Sequence, residues 1–305
     1  MTAPRQVIPG RFYFITRRVS QREFQLRPDP ELNQIYAYCL AEAAERFDIE
    51  LLTATVLSNH HHTVVYDGHG REPAFREHLN KMLAKSINAL RGRWENLWSS
   101  DEGCTEYLPT LDDVFDKIVY TLANPLAANL VDRVQDWPGF SSFGYLDGRV
   151  TEHTRPRHFF KKDGKRMPKK VKLRFVLPRG LSEEAAATWA DRIRAAVEVR
   201  ERRYRELRHK NGTRILGRKG VLATSPFSRP AKETIRRKPR PHVSCKYPER
   251  LRYELLRLLE FRFAYRQAFV LWSTAKDPRE RESVIFPAGT YRLRLFGAPC
   301  EPFPS

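Results

Sequence analysis

The chain has 305 residues, which is enough for two domains or for one domain with a long extension. Hydrophobic residues make up 41% of it, and its formal net charge of +19 favours a polyanionic partner. No run approaches the roughly 18 consecutive apolar residues of a membrane-spanning helix, and the N-terminus lacks a secretory signal, so we expect a cytoplasmic, nucleoid-associated protein with no membrane partner.

The positive charge is concentrated in the second half of the chain. Residues 1–150 contain 16 basic and 20 acidic residues, whereas residues 151–305 contain 39 and 16. We therefore predict one domain at 1–150 and a basic extension at 151–305 that binds nucleic acid; a solvated basic surface is the alternative. Four cysteines lie far apart without a C-x-x-C pair, which argues against a disulfide framework or a structural zinc site.

The predicted elements of the first part alternate between strands and helices. Alternating aromatic residues predict the first strand, and apolar residues at helical spacing predict the helices. The order β-α-β-β-α-β plus one helix predicts an α+β, ferredoxin-like sandwich. Thr110 and Asp113 are spaced like a capping box at the start of the last helix, and Pro125 is expected to end it. The predicted strands are Arg11–Val19, Glu50–Leu57, His60–Tyr66 and Glu106–Leu108, and the helices are Pro30–Phe47, Glu77–Arg93 and Leu111–Asn124.

The second part has a different character. Thr151–Lys172 is rich in lysine, arginine and proline, which predicts a linker or docking arm. Long helices are predicted at Ser182–Lys210 and Pro248–Trp272, and a strand at Val284–Phe296. No motif in this half has a mechanism of its own, so we interpret it as a mostly helical DNA-recognition extension.

The run Asn59-His60-His61-His62 opens a predicted strand. Because side chains alternate along a strand, His60 and His62 are expected on one face and His61 on the other. Two imidazoles two residues apart can bind one divalent cation, which would neutralise charge on a phosphodiester. Surface histidines in a turn are the alternative.

Tyr120 is expected on the polar face of its helix. The apolar residues of Leu111–Asn124 form one stripe, and Tyr120 lies nearly opposite it, on the same face as Asn124 four residues later. A phenol is a candidate nucleophile, and the Asn124 amide offers an oxygen to a metal. An inert surface tyrosine is the alternative.

Together these runs resemble a known family. TVLSNHHHTVVYD resembles the N-H-x-H strand of HUH single-tyrosine transposases, and IVYTLANPLAANLVDRVQDWPGFSSF resembles the tyrosine helix and trailing segment of REP-associated tyrosine transposases. The shared features of the second run are Tyr120, Asn124-Pro125, the D-W-P element at 136–138 and Ser141-Ser142. The resemblance covers roughly residues 9–146.

The resemblance implies an HUH nuclease fold and a metal-dependent DNA strand transferase. His60, His62 and Asn124 would bind Mg²⁺ or Mn²⁺, and Tyr120 would attack single-stranded DNA. The products would be a 5′-phosphotyrosine intermediate and a free 3′-OH that can rejoin strands. The implied partner is single-stranded or hairpin DNA, and a homodimer is left open.

Two residues depart from the family pattern. His61 stands where a bulky apolar residue is usual, and Ser58 where a proline often precedes the asparagine. A buried His61 would need a hydrogen-bond partner. A catalytically inactive or domesticated nucleic-acid-binding protein with the same fold is therefore the alternative function. A zinc-dependent base deaminase is disfavoured, because the chain lacks both H-x-E and P-C-x-x-C.

Several cations are predicted to contact DNA. One group mixes with Trp94 and Trp98, as a single-strand platform would, although a solvated helix face explains it equally well. The other lies in the run RRKPR, which no acidic residue interrupts. The predicted DNA-binding residues are Lys81, Lys85, Arg91, Arg93, Arg236, Arg237 and Lys238.

Overall fold

The computed structural model describes residues 4–100, 103–158, 160, 166–231 and 242–291. Its first part follows the predicted order β-α-β-β-α-β plus a helix. The strands are β1 (Arg11–Arg18), β2 (Ile49–Leu57), β3 (His60–Asp67) and β4 (Cys104–Leu108), and the helices are α1 (Pro30–Phe47), α2 (Glu72–Arg91) and α3 (Leu111–Ala127).

The four strands form one antiparallel sheet in the order β2-β3-β1-β4. In its register Thr16 lies opposite His62 and Arg18 opposite His60. Residues that face each other across an antiparallel ladder point to the same side of the sheet. Thr16, Arg18, His60 and His62 therefore share one face.

Helices cover both faces of the sheet. Buried side chains of α1 and α2 pack with Tyr13, Ile15 and Val65 in one core cluster. Those of α3 pack with Phe14 and Val64 in another cluster, on the face that carries His60 and His62. Neighbouring apolar residues of β1 and β3 therefore face opposite sides of the sheet. Each face has apolar side chains on which a layer of helices can pack.

Local signals set the helix boundaries. At the start of α3, Thr110 and Asp113 form the predicted capping box: the Thr110 hydroxyl accepts from the Asp113 amide at 3.2 Å, and the Asp113 carboxylate accepts from the Thr110 amide. Pro125 does not end this helix, contrary to the sequence prediction, because α3 continues to Ala127. The proline removes the helical bond to the Thr121 carbonyl, and α3 ends two residues after it.

The second part contains a two-stranded sheet and four helices within the described residues. The antiparallel sheet consists of β5 and β6, so the two ends of Thr151–Lys172, predicted as a linker or docking arm, are paired strands. The alternation in β6 buries Val171 and Leu173 against the α1 side of the core. The elements are β5 (Thr151–Thr154), β6 (Lys170–Leu173), α4 (Glu183–Asn211), α5 (Gly217–Ala223), α6 (Pro248–Thr274) and α7 (Pro278–Ser283).

The two long helices confirm their predictions closely. Ser182 caps α4 by accepting from the Ala185 amide, and Gly212 ends it in the left-handed conformation. The strand predicted at Val284–Phe296 is wrong over its described part, because Pro287 and Gly289 (φ +87°) interrupt the extended backbone.

Packing also crosses residue 150. Trp189, Ile193 and Val197 of α4 belong to the same core cluster as α3. Among the described helices, none is long and apolar enough to cross a lipid bilayer. The division of the chain at residue 150 stays a prediction.

Candidate functional site

The two histidines predicted to act together lie side by side on β3. His60 is 9% exposed and His62 is 3% exposed, and their ring centroids are 4.7 Å apart. His61 points to the opposite face and is fully buried, as the alternation predicts. Its ring nitrogens lie 3.3 Å from the Tyr36 hydroxyl and 3.3 Å from Asn80 Oδ1, so this unusual histidine has the hydrogen-bond partners that it needs.

Hydrogen bonds fix the tautomers of His60 and His62. His60 Nδ1 lies 2.6 Å from Asn59 Oδ1, an acceptor, so Nδ1 carries the proton. His62 Nδ1 lies 2.8 Å from the Thr16 hydroxyl, and its Nε2 lies 3.3 Å from the amide nitrogen of Asn124. Both Nε2 atoms then have a lone pair, and each Nδ1 atom makes a hydrogen bond that orients its ring, as in histidines that bind metals.

Burial keeps both imidazoles neutral. It is the largest cause that lowers the pKa of His60, to about 3, and the nearby Arg18 cation lowers it further. Burial also holds the pKa of His62 well below its ordinary value, and the neighbouring His60 adds to the effect. A neutral imidazole is the form that donates a lone pair to a cation.

Helix α3 brings the predicted tyrosine and asparagine to these histidines. The centroid of the Tyr120 ring lies 5.6 Å from that of His62 and 5.8 Å from that of Phe14. Tyr120 is 45% exposed, and its hydroxyl makes no hydrogen bond to another described residue. Asn124, one turn further along α3, is buried against His62. One chain therefore brings Tyr120, His60, His62 and Asn124 together.

The donors in this site fit a divalent cation. Two neutral imidazoles and one amide are ligands that such a cation accepts, and the Asn124 amide hydrogen-bonds to both His60 and His62. Thr55, which faces His62 across β2 and β3, has a buried hydroxyl without a partner among the described residues. No group of three or more histidine, cysteine or acidic side chains suited to a metal occurs in the described part of the chain, so the amide is the available third ligand.

Three charged residues near the site were missed at the level of sequence. Arg18 lies opposite His60 in the register and influences the ionisation of His60 and His62. Lys117 lies three residues before Tyr120 on α3 and pairs with Glu106 of β4 at 2.6 Å. The spacing of three residues from Tyr120 could have indicated that Lys117 lies near the site. The positions of Arg18 and Glu106 near the site depend instead on the order of the strands in the sheet.

The four predicted DNA-binding residues that the structure describes lie away from this site. Lys81 and Lys85 are exposed on α2, in the layer opposite the histidines. Arg91 is buried in an ion pair with Asp29 at 2.7 Å, and Arg93 pairs with Glu23 at 2.6 Å. DNA binding by these four residues stays a prediction. Arg236, Arg237 and Lys238 lie outside the described residues.

The buried histidines predict that the folded state loses stability in acid. Burial lowers the pKa of His60 to about 3 and of His61 to about 4, and it also lowers that of His62. The unfolded chain therefore binds more protons as the pH falls below about 6.5, the ordinary histidine value. We expect the free energy of unfolding to fall between about pH 6.5 and pH 4, by up to about 1.4 kcal/mol per pH unit for each histidine.

Urea unfolding in the presence of a chelator measures this slope. His61 lies on the opposite face from the candidate site and is one of the three buried histidines. His61→Gln is expected to lower by about one the number of protons that the slope reports as taken up on unfolding. A urea concentration at the unfolding midpoint that does not change between about pH 7 and pH 5 would contradict the prediction.

The comparisons with known proteins are limited to structure, since no family model and no curated protein matches the chain. The chain is similar to a REP-associated tyrosine transposase bound to a REP hairpin, with 20% identity and a TM-score of 0.40 over 47% of this chain and 83% of that chain. It is also similar to a candidate transposase from Deinococcus radiodurans, with 18% identity and a TM-score of 0.29 over 41% of this chain and 97% of that chain. Both TM-scores are too low for either likeness to assign a family or an activity.

Proposed function

We propose that this protein is a transposase-like DNA strand transferase that cleaves and rejoins single-stranded DNA through a 5′-phosphotyrosine intermediate. The observation that carries the proposal is the position of Tyr120 beside His62, with the two rings 5.6 Å apart in one chain. A half-exposed phenol next to two neutral imidazoles is suited to attack on a phosphate that a cation polarises. The fold is then an HUH nuclease fold.

In this proposal Tyr120 is the nucleophile. Its Oη attacks the phosphorus, and the bond from phosphorus to the 3′ oxygen breaks. The phenolic proton is lost and the 3′ oxygen gains one, which leaves a phosphotyrosine ester on the 5′ side and a free 3′-OH. In the reverse step a 3′-OH attacks the ester and Tyr120 recovers its proton. His60, His62 and Asn124 would hold Mg²⁺ or Mn²⁺, which supplies positive charge beside the phosphate oxygens.

The chain's own hydrogen bonds prepare this site. Asn59 and Thr16 hold the two imidazoles through Nδ1, so Nε2 stays directed into the site. Asn124 and Tyr120 lie one helical turn apart, so the same helix places the nucleophile and the third ligand. Because these residues come from one chain, a monomer suffices for cleavage, and a homodimer is not needed to complete the site.

We assign the catalytic domain to residues 1–150 and DNA recognition to the basic residues 151–305. The excess of cations in the second part suits the backbone of a DNA hairpin or single strand. In this arrangement α4, which packs on α3, connects the extension to the helix that bears Tyr120.

The direct test is incubation with labelled single-stranded repeat DNA that forms a hairpin, in the presence of Mn²⁺. We expect a covalent adduct that resists denaturation and maps to Tyr120. DNA binding without any adduct, under conditions in which the metal is bound, would instead support the alternative of an inactive nucleic-acid-binding protein.

The basic run RRKPR gives a separate prediction. Alanine at Arg236, Arg237 and Lys238 is expected to weaken hairpin binding and to flatten the dependence of log K on log salt by about 0.7 to 0.9 for each lost phosphate contact. Fluorescence anisotropy at several salt concentrations measures the slope. An unchanged slope would remove this run from the DNA interface.

A further inference from the structure

Arg18 is an exposed cation on the face of the sheet that carries the candidate metal ligands. It is the last residue of β1 and lies directly opposite His60 in the pairing of β1 with β3. Directly opposed residues of an antiparallel pair have Cβ atoms about 5 Å apart and side chains on the same side. The Arg18 guanidinium is also close enough to the Tyr120 phenol for the two groups to interact electrostatically. Arg18 therefore borders the space in front of both Tyr120 and the imidazoles.

The charge of Arg18 is not neutralised within the described part of the chain. Among the described residues, none forms an ion pair or a side-chain hydrogen bond with its guanidinium. Glu23, the nearest acidic residue in the sequence, pairs instead with Arg93 at 2.6 Å and with Arg229 at 3.2 Å. Lys117, which also lies near Tyr120, is paired with Glu106 at 2.6 Å. Arg18 is therefore the cation of this site whose charge remains available to an anionic ligand.

The loop after β1 holds a second cation beside Arg18. Gln21 and Arg22 have φ angles of 50° and 59°, a conformation that residues other than glycine rarely adopt. Loss of hydration in the surrounding protein is the largest cause that lowers the pKa of Arg18, and the nearby Arg22 charge is the next. A strained loop thus keeps two like charges close together, an arrangement that costs free energy and that a bound anion would stabilise.

Asn59 connects this loop to the candidate metal ligands. Its side-chain amide nitrogen donates to the Arg22 carbonyl at 3.3 Å, while its side-chain oxygen accepts from His60 Nδ1 at 2.6 Å. The Val19 amide also donates to the Asn59 carbonyl at 2.8 Å. The position of the loop and the orientation of the His60 ring therefore depend on the same residue.

We propose that Arg18, with Arg22 beside it, binds a phosphate of the single DNA strand next to Tyr120. This inference rests on the proposed function. A guanidinium donates two parallel hydrogen bonds to the oxygens of a phosphate, which fixes the orientation of that group as well as its position. Arg18 on β1 and Tyr120 on α3 then face the same phosphate. The positive charge also stabilises the negative charge on the phosphate oxygens during the attack.

The first test measures binding without cleavage. Hairpin DNA is prepared with one phosphate of the adjoining single strand at a time replaced by an uncharged methylphosphonate, and fluorescence anisotropy measures its affinity in the presence of a chelator. One replacement should weaken binding by the parent protein by on the order of tenfold. In Arg18→Gln the same replacement should cost less than about twofold, because the cation that it would lose is already absent. Replacements at the other positions should keep their effect.

The second test compares a change of charge with a change of shape. Arg18→Gln should reduce the slope of log K against log salt by about 0.7, the value for one phosphate contact with a single strand. It should also slow single-turnover cleavage at saturating DNA and Mn²⁺ by on the order of a hundredfold. Arg18→Lys keeps the charge but lacks the planar fork, so it should restore the salt slope and only part of the rate.

Arg71 provides a matched control. It is also an exposed arginine without an ion pair among the described residues, and it directly precedes α2. His60 begins β3, whereas Arg71 follows the other end of that strand. The eight residues of β3 span roughly 25 Å, so Arg71 lies far from the candidate site. Arg71→Gln should keep the parent's response to each methylphosphonate and its cleavage rate at saturating DNA.

The possible results separate the two proposals. If Arg18→Gln responds to every methylphosphonate as the parent protein does, Arg18 binds no phosphate and the inference is overturned. The same conclusion follows if no single replacement weakens binding by the parent protein. Absence of any adduct with the parent protein would overturn the proposed function, while the binding measurements, which need neither metal nor cleavage, would still decide whether Arg18 holds a phosphate.

Discussion

Replacement of Tyr120 by phenylalanine is expected to abolish DNA cleavage and the covalent adduct while leaving hairpin binding nearly intact. The substitution removes only the hydroxyl oxygen, which is the proposed nucleophile. The phenyl ring keeps its edge contacts with Phe14 and His62 at 5.8 and 5.6 Å. The hydroxyl has no hydrogen bond to another described residue, so its loss leaves no buried partner unpaired.

The expected magnitude is a fall in the single-turnover rate of on the order of a thousandfold or more, because no other group supplies the attacking oxygen. Tyr120 is 45% exposed, and we expect the free energy of unfolding to change by less than about 1 kcal/mol. Denaturing gels measure the adduct, and fluorescence anisotropy measures binding.

Tyr253 provides a matched control for this substitution. It is also a helical tyrosine, 51% exposed, and it lies on α6. At saturating hairpin DNA, Tyr253→Phe should leave the adduct unchanged, because Tyr253 lies in the part of the chain assigned to DNA recognition and not in the catalytic site. Equal cleavage by Tyr120→Phe and the parent protein would remove the nucleophile from the mechanism, whereas loss of both cleavage and hairpin binding would indicate that the hydroxyl serves DNA binding.

The core of this site followed from local periodicity. Strand alternation placed His60 and His62 on one face and His61 on the other, and the spacing of four residues placed Asn124 beside Tyr120. These relations hold within a single element and need no knowledge of its neighbours.

Other parts of the site depend on which elements become neighbours. Arg18 meets His60 because β1 pairs with β3, and Glu106 meets Lys117 because β4 lies beside β1 under α3. Neither of these strand pairings can be predicted from the residues of one strand alone.

The predicted DNA platform shows the same limit. The cluster of basic residues around Arg91 and Arg93 did not indicate that these arginines would form ion pairs within the protein. Their partners, Asp29 and Glu23, lie 62 and 70 positions earlier in the chain. The high charge of Thr151–Lys172 likewise concealed strands of only four residues, whose inward positions Val171 and Leu173 become meaningful once α1 lies beside them.

The second large effect is expected when the candidate metal ligands are replaced. Leucine at position 60 or 62 is expected to lower Mn²⁺ affinity at least about tenfold and to slow cleavage by on the order of a hundredfold or more. Leucine retains much of the volume of the imidazole, so the buried sites are not left as cavities. Isothermal titration with Mn²⁺ measures affinity, and cleavage is assayed over a range of Mn²⁺ concentrations.

The same substitution at His61 separates ligation from packing. His61 lies between the two candidate ligands in sequence but contacts Tyr36 and Asn80 on the opposite face of the sheet. We expect His61→Leu to reduce stability, because Asn80 Oδ1 loses a partner, and yet to bind Mn²⁺ as the parent protein does.

The pattern across the three positions decides the assignment. Loss of Mn²⁺ binding at 60 and 62 with retention at 61 follows from two imidazoles that share one face, since only that face opens toward Tyr120. Undiminished Mn²⁺ affinity in His62→Leu would place the cation elsewhere. In that case the neutral imidazoles would have to serve DNA through hydrogen bonds, and Tyr120 would lack the polarised phosphate that a phenol requires near neutral pH.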